Sequence, residues 1–200
     1  YTLTDADGDS DKATLTLKSL DDDTVPVITP PQAKVVDETD LGTGPVSTSG
    51  QLVADFKADA PGSFGSTGTF TSSVPLTSNG VAVVVTQSGG VYTGKAGTTT
   101  VFTLTVLPNG QYSFNLVDTL DHPNKTDHDD NIALNFGVSA TDSDGDTVTT
   151  TLTINVKDDG VDARDDSASA LSSVGHVDGN VLTNDYRGQD LPSRVTKIEF

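Results

Sequence analysis

The sequence predicts an all-β protein, with the architecture of an Ig-like antiparallel β-sandwich. Val, Leu, Ile, Phe and Tyr alternate with Thr and Ser along many short segments, which is typical of strands with one buried face. No stretch of about eleven residues shows the i, i+3, i+4, i+7 periodicity of an amphipathic helix. Many short alternating segments separated by turn residues are the pattern expected of a sandwich.

The alternating segments predict strands in a defined order. The clearest pair, Val101–Val106 and Tyr112–Leu116, flanks Asn109-Gly110, a dipeptide that favours a tight hairpin turn. Two stretches rich in small and polar residues, Gly42–Gly50 and Gly62–Ser73, are predicted to be long surface loops. The candidate strands are Val27–Thr29, Ala33–Val36, Gln51–Phe56, Thr67–Phe70, Val81–Thr86, Thr99–Leu107, Gln111–Val117, Ile132–Thr141 and Thr147–Val156.

The chain is expected to contain one complete module between parts of two others. Residues 1–23 are predicted to be the C-terminal hairpin and linker of a preceding module, and residues 24–160 the complete sandwich. Residues 161–200 change in character and are predicted to begin a following module. An alternative remains open, in which residues 1–23 and 161–200 together form one domain that the sandwich interrupts.

An acidic turn occurs twice. Asp5-Ala-Asp-Gly-Asp9 and Asp142-Ser-Asp-Gly-Asp146 are offset by 137 residues (142 − 5), and each precedes a strand-like segment and a pair of aspartates. Such a spacing is typical of a tandem array. The turn is not an EF-hand loop, because threonine occupies the twelfth position, where calcium requires a bidentate glutamate. A plain tight turn is the simpler interpretation of a single copy, but two copies in matched context favour calcium.

The charge points to the same cation. The formal net charge is −18, and only Glu38 and Glu199 among the 29 acidic residues are glutamate. Short carboxylates in turns suit calcium, which takes six to eight oxygen ligands. A charge this negative argues against nucleic acid and anionic membranes as partners. The chain has no cysteine, which excludes disulfides and thiolate metal sites.

We expect the calcium ligands to gather at the two ends of the sandwich. If the number of strands is odd, the chain enters at one end and leaves at the other, so the turn at residues 142–146 faces the linker at residues 21–23. The predicted entry cluster consists of Asp21, Asp22, Asp23, Asp142, Asp144 and Asp146, together with Glu38. The predicted exit cluster consists of Asp121, Asp129, Asp130, Asp158 and Asp159, with Asp165 or Asp166. In the first copy of the turn, the predicted ligands are Asp5, Asp7 and Asp9.

An enzyme is one interpretation of the chain's function, and the one that the sequence supports least. His122, His128 and His176 lack the spacing of zinc ligands, and the first two are expected to be solvated residues of an acidic loop. No Gly-x-Ser-x-Gly nucleophile motif is present. No run of about 18 apolar residues occurs, so insertion into a membrane is not expected. Calcium is therefore the only cofactor that we predict.

Four separated motifs resemble a known family. Tyr1-Thr-Leu-Thr-Asp-Ala-Asp-Gly-Asp9, Val36-Asp-Glu-Thr-Asp-Leu41, Leu120-Asp-His122 and Ala140-Thr-Asp-Ser-Asp-Gly-Asp146 resemble the Ig-like repeats, roughly 140 residues long, of giant type-I-secreted RTX adhesins of Gram-negative bacteria. Ala163-Arg-Asp-Asp166 and Gly179-Asn-Val-Leu-Thr-Asn-Asp185 resemble the start of a cadherin-like calcium module. The resemblance implies an extracellular, cell-surface protein that contributes to adhesion and biofilm formation.

Two roles within such an adhesin remain open. As a stalk segment, the module contacts neighbouring modules of the same chain through calcium-stiffened joints. As a ligand-binding module, it captures a peptide C-terminus or a sugar of another cell surface through a partly exposed calcium. The two predicted long loops favour some binding role. Asp55, Asp59 and Asp118, which lie outside the repeated turns, are the candidate residues for such a site beside the loop at residues 62–73.

Overall fold

Two β-sheets packed face to face form the body of the protein in the computed structural model, which describes residues 1–17, 24–127, 129–169, 176, 178–189 and 193–198. The strands are β1 (Thr2–Thr4), β2 (Ser10–Lys12), β3 (Val27–Thr29), β4 (Lys34–Asp37), β5 (Val46–Gln51), β6 (Val53–Asp55), β7 (Ser63–Ser72), β8 (Thr77–Ser78), β9 (Val81–Ser88), β10 (Val91–Ala96), β11 (Thr99–Val106), β12 (Gln111–Leu116), β13 (Asn131–Thr141) and β14 (Thr147–Lys157). Two short 3₁₀ helices span Glu38–Thr43 and Lys57–Asp59. The predicted all-β sandwich is confirmed.

The sheets differ in size and in strand direction. The larger has the order β5-β12-β11-β10-β9-β8 and is antiparallel throughout, and the smaller has the order β4-β14-β13-β7. In the smaller sheet β4 runs parallel to β14, whereas β13 is antiparallel to both of its neighbours. The pair of β4 and β14 is therefore the parallel one in a sandwich whose other described strand pairs are antiparallel. Strands β3 and β6 form a separate antiparallel pair, as do β1 and β2.

The core is a cluster of aromatic and aliphatic side chains between the two sheets. Phe102 and Phe114 of the larger sheet meet Phe136 of the smaller one, and all three are fully buried. Tyr92 reaches across the core, where its hydroxyl donates to the Gly137 carbonyl at 2.7 Å. Because that hydroxyl finds a partner, the buried ring keeps its polar group satisfied. Buried residues alternate with half-buried ones along β13 and the second half of β14, which places one face of each strand in this core.

Several predicted elements require correction. The stretch Gly62–Ser73 is not a loop, because β7 occupies nearly all of it and pairs with β13. The stretch Gly42–Gly50 contains the end of a 3₁₀ helix and most of β5. The strands β5, β8 and β10 were not predicted. The segment predicted as one strand, Gln51–Phe56, is divided between the end of β5 and β6.

Gly94 in β10 shows why a small residue is needed within that strand. Gly94 pairs with Phe102 of β11, and a Cβ atom at Gly94 would lie 2.5 Å from the Phe102 ring. The ring is completely buried, so it has no free space into which it can move. We therefore expect Gly94→Ala to lower the free energy of unfolding by about 1–3 kcal/mol through overpacking.

Urea denaturation of the two proteins measures this change. Gly179→Ala is the matched control, because a Cβ atom at Gly179 meets nothing within 4 Å and its backbone is not left-handed. Equal stability of the Gly94 variant and the control would contradict the packing described here.

The two ends of the sandwich are defined by β13 and β14. We call the end at the turn between these strands, residues 142–146, the entry pole, and the end at Asp130 and Asp158 the exit pole. Strand β13 has eleven residues, so the poles lie roughly 35 Å apart at 3.4 Å per residue. Among the residues that the structure describes, no helix has the length and apolar character needed to cross a membrane.

Candidate metal centres at the two ends of the sandwich

The turn at the entry pole is organised by the side chain of Asp142. Its Oδ1 accepts hydrogen bonds from the Gly145 N–H at 3.1 Å and the Asp146 N–H at 2.8 Å. The turn is closed by the Asp142 N–H, which donates to the Asp146 carbonyl at 3.1 Å. Gly145 adopts a φ of 109°, a conformation that glycine reaches without strain. Asp142 is 7% exposed, and its Oδ2 is buried and has no hydrogen-bond partner among the described residues.

The first copy of the turn has the same geometry. Asp5 Oδ1 accepts from the N–H groups of Gly8 and Asp9, at 3.1 and 2.9 Å, and Gly8 has a φ of 102°. Oxygen atoms of Asp5, Asp7 and Asp9 approach within 4.8 Å of one another. All three residues are exposed, and hydrogen bonds from Asp7, Asp9 and Gly8 outweigh slight desolvation and lower the pKa of Asp5. The two turns therefore differ in burial and agree in backbone geometry.

The structure adds a residue to the entry pole that the sequence did not assign there. Carboxylate oxygens of Asp59, Asp142 and Asp144 lie within 4.8 Å of one another. Asp59 belongs to the 3₁₀ helix after β6, and its carbonyl accepts from the Ser143 N–H at 3.0 Å, which fixes the helix to the turn. The Thr24 hydroxyl donates to Asp59 Oδ2 at 2.9 Å, so the chain passes this cluster immediately after residue 23.

The remaining entry-pole predictions have mixed outcomes. Asp146 contributes its main-chain groups to the turn. Asp21, Asp22 and Asp23 lie outside the residues that the structure describes. The placement of Glu38 at this pole is wrong, because its carboxylate lies beside His122 and Asp158 at the exit pole.

The exit pole contains a buried cluster of Glu38, His122 and Asp158. One ligand atom of each residue lies within 4.8 Å of the other two. Glu38 is fully buried at the start of the first 3₁₀ helix, and its Oε1 accepts from the Leu120 N–H at 2.8 Å. His122 is 2% exposed, so the expectation that it is a solvated loop histidine is wrong. His128 lies outside the described residues, and His176 is exposed.

The environment of His122 is strongly negative. Burial favours the neutral ring, but the Glu38, Asp158 and Asp130 carboxylates outweigh this effect and raise the pKa of His122. Nδ1 lies 3.1 Å from Asp130 Oδ1. Nε2 lies 3.8 Å from Glu38 Oε1, which is too long for a hydrogen bond.

The other predicted exit ligands do not gather at one point. Asp121 Oδ2 accepts from the Gly80 N–H at 2.8 Å, and Asp129 pairs with Lys157, which also contacts Asp37. Asp159 is buried and accepts from the Gln189 N–H. Asp165 and Asp166 are exposed.

The suggested site of Asp55, Asp59 and Asp118 is not formed by these three residues together. Asp59 lies at the entry pole with Asp142, and Asp55 pairs with Lys57. Asp118 lies at the other pole, two residues before Leu120, which donates to Glu38. The loop beside which the site was expected is strand β7.

The fold and these clusters define an all-β sandwich module with acidic groups at both ends. The chain belongs to the family described as Domain of unknown function (DUF5801), whose model matches residues 33–155. The matched segment begins just before β4 and ends within β14, and it includes Asp59, Asp142 and Asp144 as well as Glu38 and His122. No curated protein and no solved structure matches the chain.

Proposed function

We propose that this chain is a calcium-binding module of a large secreted RTX adhesin of a Gram-negative bacterium. In this proposal the module is a stalk segment, stiffened by calcium at its joints, that contributes to cell adhesion and biofilm formation outside the cell. The observation that carries the proposal is the buried carboxylate of Asp142 within the Asp59, Asp142 and Asp144 cluster.

A bound cation would explain why the second carboxylate oxygen of Asp142 is buried without a hydrogen-bond partner. Oδ1 is used by two main-chain donors, whereas Oδ2 is buried and accepts no hydrogen bond from any described group. Burying part of a carboxylate without a partner is costly, and adjacent Asp59 and Asp144 carboxylates add repulsion. A bound divalent cation would remove both penalties.

The donor set at the entry pole suits calcium. It offers carboxylate oxygens only, which calcium prefers, with nearby main-chain carbonyls and water to complete six to eight ligands. Asp5, Asp7 and Asp9 offer the same donor type in a turn of the same geometry. Extracellular calcium modules have dissociation constants of about 0.1–1 mM, so such sites would be filled outside the cell.

The position of the cluster supports the stalk role. Thr24 donates to Asp59, so the chain entering the sandwich is attached to the same group of residues as the turn at 142–146. A cation held there would restrain the approach of the preceding segment. The stretches that favoured ligand capture lie mostly in β5 and β7, so the described part of the chain gives that alternative no support.

Removal of calcium is expected to destabilise the whole chain. At 100 times its dissociation constant, one bound calcium adds about 2.7 kcal/mol to the free energy of unfolding. Thermal melting should therefore give clearly different midpoints in chelator and in about 10 mM calcium, a concentration chosen to saturate the sites. Magnesium at equal concentration is the control, because it resists losing its hydration water.

Small-angle scattering of the same chain tests the stalk role. We expect the maximum dimension to be larger and better defined in calcium, because a cation bound by Asp59, Asp142 and Asp144 would restrain the chain where it enters the sandwich at Thr24. An unchanged melting temperature in chelator would contradict calcium binding. If the melting temperature changes but the scattering does not, calcium binds and the stiffening role is wrong.

A further inference from the structure

The cluster at the exit pole differs in chemistry from the acidic turns. It combines an imidazole with two carboxylates, and Glu38 and His122 are almost completely buried. The three residues come from three separate segments, the end of β4, the connection from β12 to β13, and the residue after β14. Whatever binds all three would join these segments at one point.

The orientation of His122 is that of a metal-binding histidine. Nδ1 lies within hydrogen-bond distance of the Asp130 carboxylate, which fixes the ring and its tautomer. Nε2 is buried on the side of Glu38, and no group in the described part of the chain forms a hydrogen bond with it. A metal-bound histidine typically donates its second ring nitrogen to a carboxylate in this way.

The negative charge of the cluster also favours a bound cation. With Asp130 included, three carboxylates surround the imidazole, so a neutral ring leaves a net charge of −3 and a protonated ring leaves −2. The nearest lysines have other partners, since Lys157 contacts Asp37 and Asp129 and Lys125 donates to the His122 carbonyl. A divalent cation would neutralise the two carboxylates of the cluster itself, which a low-dielectric site favours.

We propose that Glu38, His122 and Asp158 bind a divalent transition-metal ion of the zinc type, with Asp130 as a positioning residue. Imidazole nitrogen is a good ligand for zinc, whereas calcium and magnesium select oxygen. Three protein ligands and one water satisfy a tetrahedral ion, but they fall short of the six to eight ligands of calcium.

The distance between His122 and Glu38 permits such a site after a small movement. Two ligand atoms about 2.0–2.1 Å from a tetrahedral zinc lie roughly 3.3 Å apart. Nε2 of His122 and Oε1 of Glu38 are 3.8 Å apart, so they must approach by about 0.5 Å. The zinc site is independent of the calcium proposed for the entry pole, and either can fail while the other holds.

The first test measures zinc bound to the full chain at equilibrium, by dialysis in excess calcium that occupies the all-oxygen sites. We expect one tightly bound zinc per chain. Glu38→Gln keeps an oxygen that accepts the Leu120 N–H, so it preserves that contact while removing a ligand charge. Glu38→Gln and His122→Gln are each expected to weaken zinc binding at least 100-fold, and Asp130→Asn about 10- to 100-fold.

His176→Gln is the matched control, because His176 is an exposed histidine beside an aspartate, Asp178, outside the cluster. It should bind zinc as the unaltered chain does. Circular dichroism of each variant shows that it is folded, so that lost binding is not a consequence of unfolding.

Nitrogen NMR of the His122 ring gives a readout that does not depend on stability. With zinc bound, Nε2 should carry the metal and no proton, while Nδ1 keeps its proton for Asp130. A ring with both nitrogens protonated at saturating zinc would overturn the proposal and show a buried ionic cluster instead. Full zinc binding by folded His122→Gln, or no zinc bound by the unaltered chain, would overturn it as well.

Discussion

Replacing Phe136 by alanine is expected to lower the free energy of unfolding by about 3–5 kcal/mol, the usual range for a buried phenylalanine. Phe136 is completely buried in β13 and lies at the centre of the aromatic cluster. Its ring centroid is 5.2 to 6.1 Å from those of four other rings, Phe70, Tyr92, Phe102 and Phe114. Because these rings come from both sheets, the cavity cannot close without moving the sheets together.

Urea denaturation followed by circular dichroism measures this loss. Val84→Ala is the matched control, because Val84 also lies in a strand but is 63% exposed. Its stability should stay within about 0.5 kcal/mol of the unaltered chain, apart from the small change in strand propensity. A similar loss in both variants would contradict the central position of Phe136.

Replacing Asp142 by alanine in calcium is expected to cost about 4 kcal/mol, from the lost ion and the lost hydrogen bonds to Gly145 and Asp146. In chelator the lost hydrogen bonds are partly offset, because alanine also removes the buried oxygen without a partner and its repulsion with Asp59 and Asp144, so the difference from the unaltered chain should fall to about 1 kcal/mol or less. Melting curves of both proteins in the two conditions separate the two contributions.

Asp5→Ala is the matched control for this variant. Asp5 makes the same turn hydrogen bonds, but its turn is exposed and lies outside the sandwich. We expect the main melting transition to be little affected. If Asp142→Ala costs the same in calcium and in chelator, the buried carboxylate does not bind the ion.

The local sequence pattern was sufficient to predict the strands in which apolar and polar residues alternate. Strands β11 and β12 flank Asn109-Gly110, and β13 and β14 flank the acidic turn, so both hairpins were predicted. Strand β10 was missed because Gly94 and Lys95 break the alternation, although Gly94 is required by the Phe102 ring.

Strands made mostly of small and polar residues also lack the alternation that predicts a strand. Strand β5 has the sequence Val-Ser-Thr-Ser-Gly-Gln and lies at the edge of its sheet, where few of its side chains are buried. Strand β7 was predicted only at Thr67–Phe70, because the rest of it is rich in Gly, Ser and Thr and takes its conformation from pairing with β13. Such pairing depends on residues distant in sequence and leaves no local periodicity.

The sites show the same division between local and distant information. The hydrogen bonds of the acidic turns are local, and the repeated Asp-x-Asp-Gly-Asp pattern predicted where they occur. Asp59 and Glu38 reach their clusters only through the tertiary fold, so their sequence neighbours did not indicate which cluster each residue joins. His122 did have a signal in Leu120-Asp-His122, since an apolar residue two positions earlier is consistent with a buried face.

The parallel pairing of β4 with β14 determines how the module responds to tension. Residues 34–37 near its start lie beside residues 154–157 at its end, and both strands run towards the exit pole. When the two ends of the chain are pulled apart, β4 and β14 are drawn in opposite directions along their length. The hydrogen bonds between them are then loaded together in shear and cannot open one after another. The pair that joins the first part of the module to its last strand is therefore also its mechanical clamp.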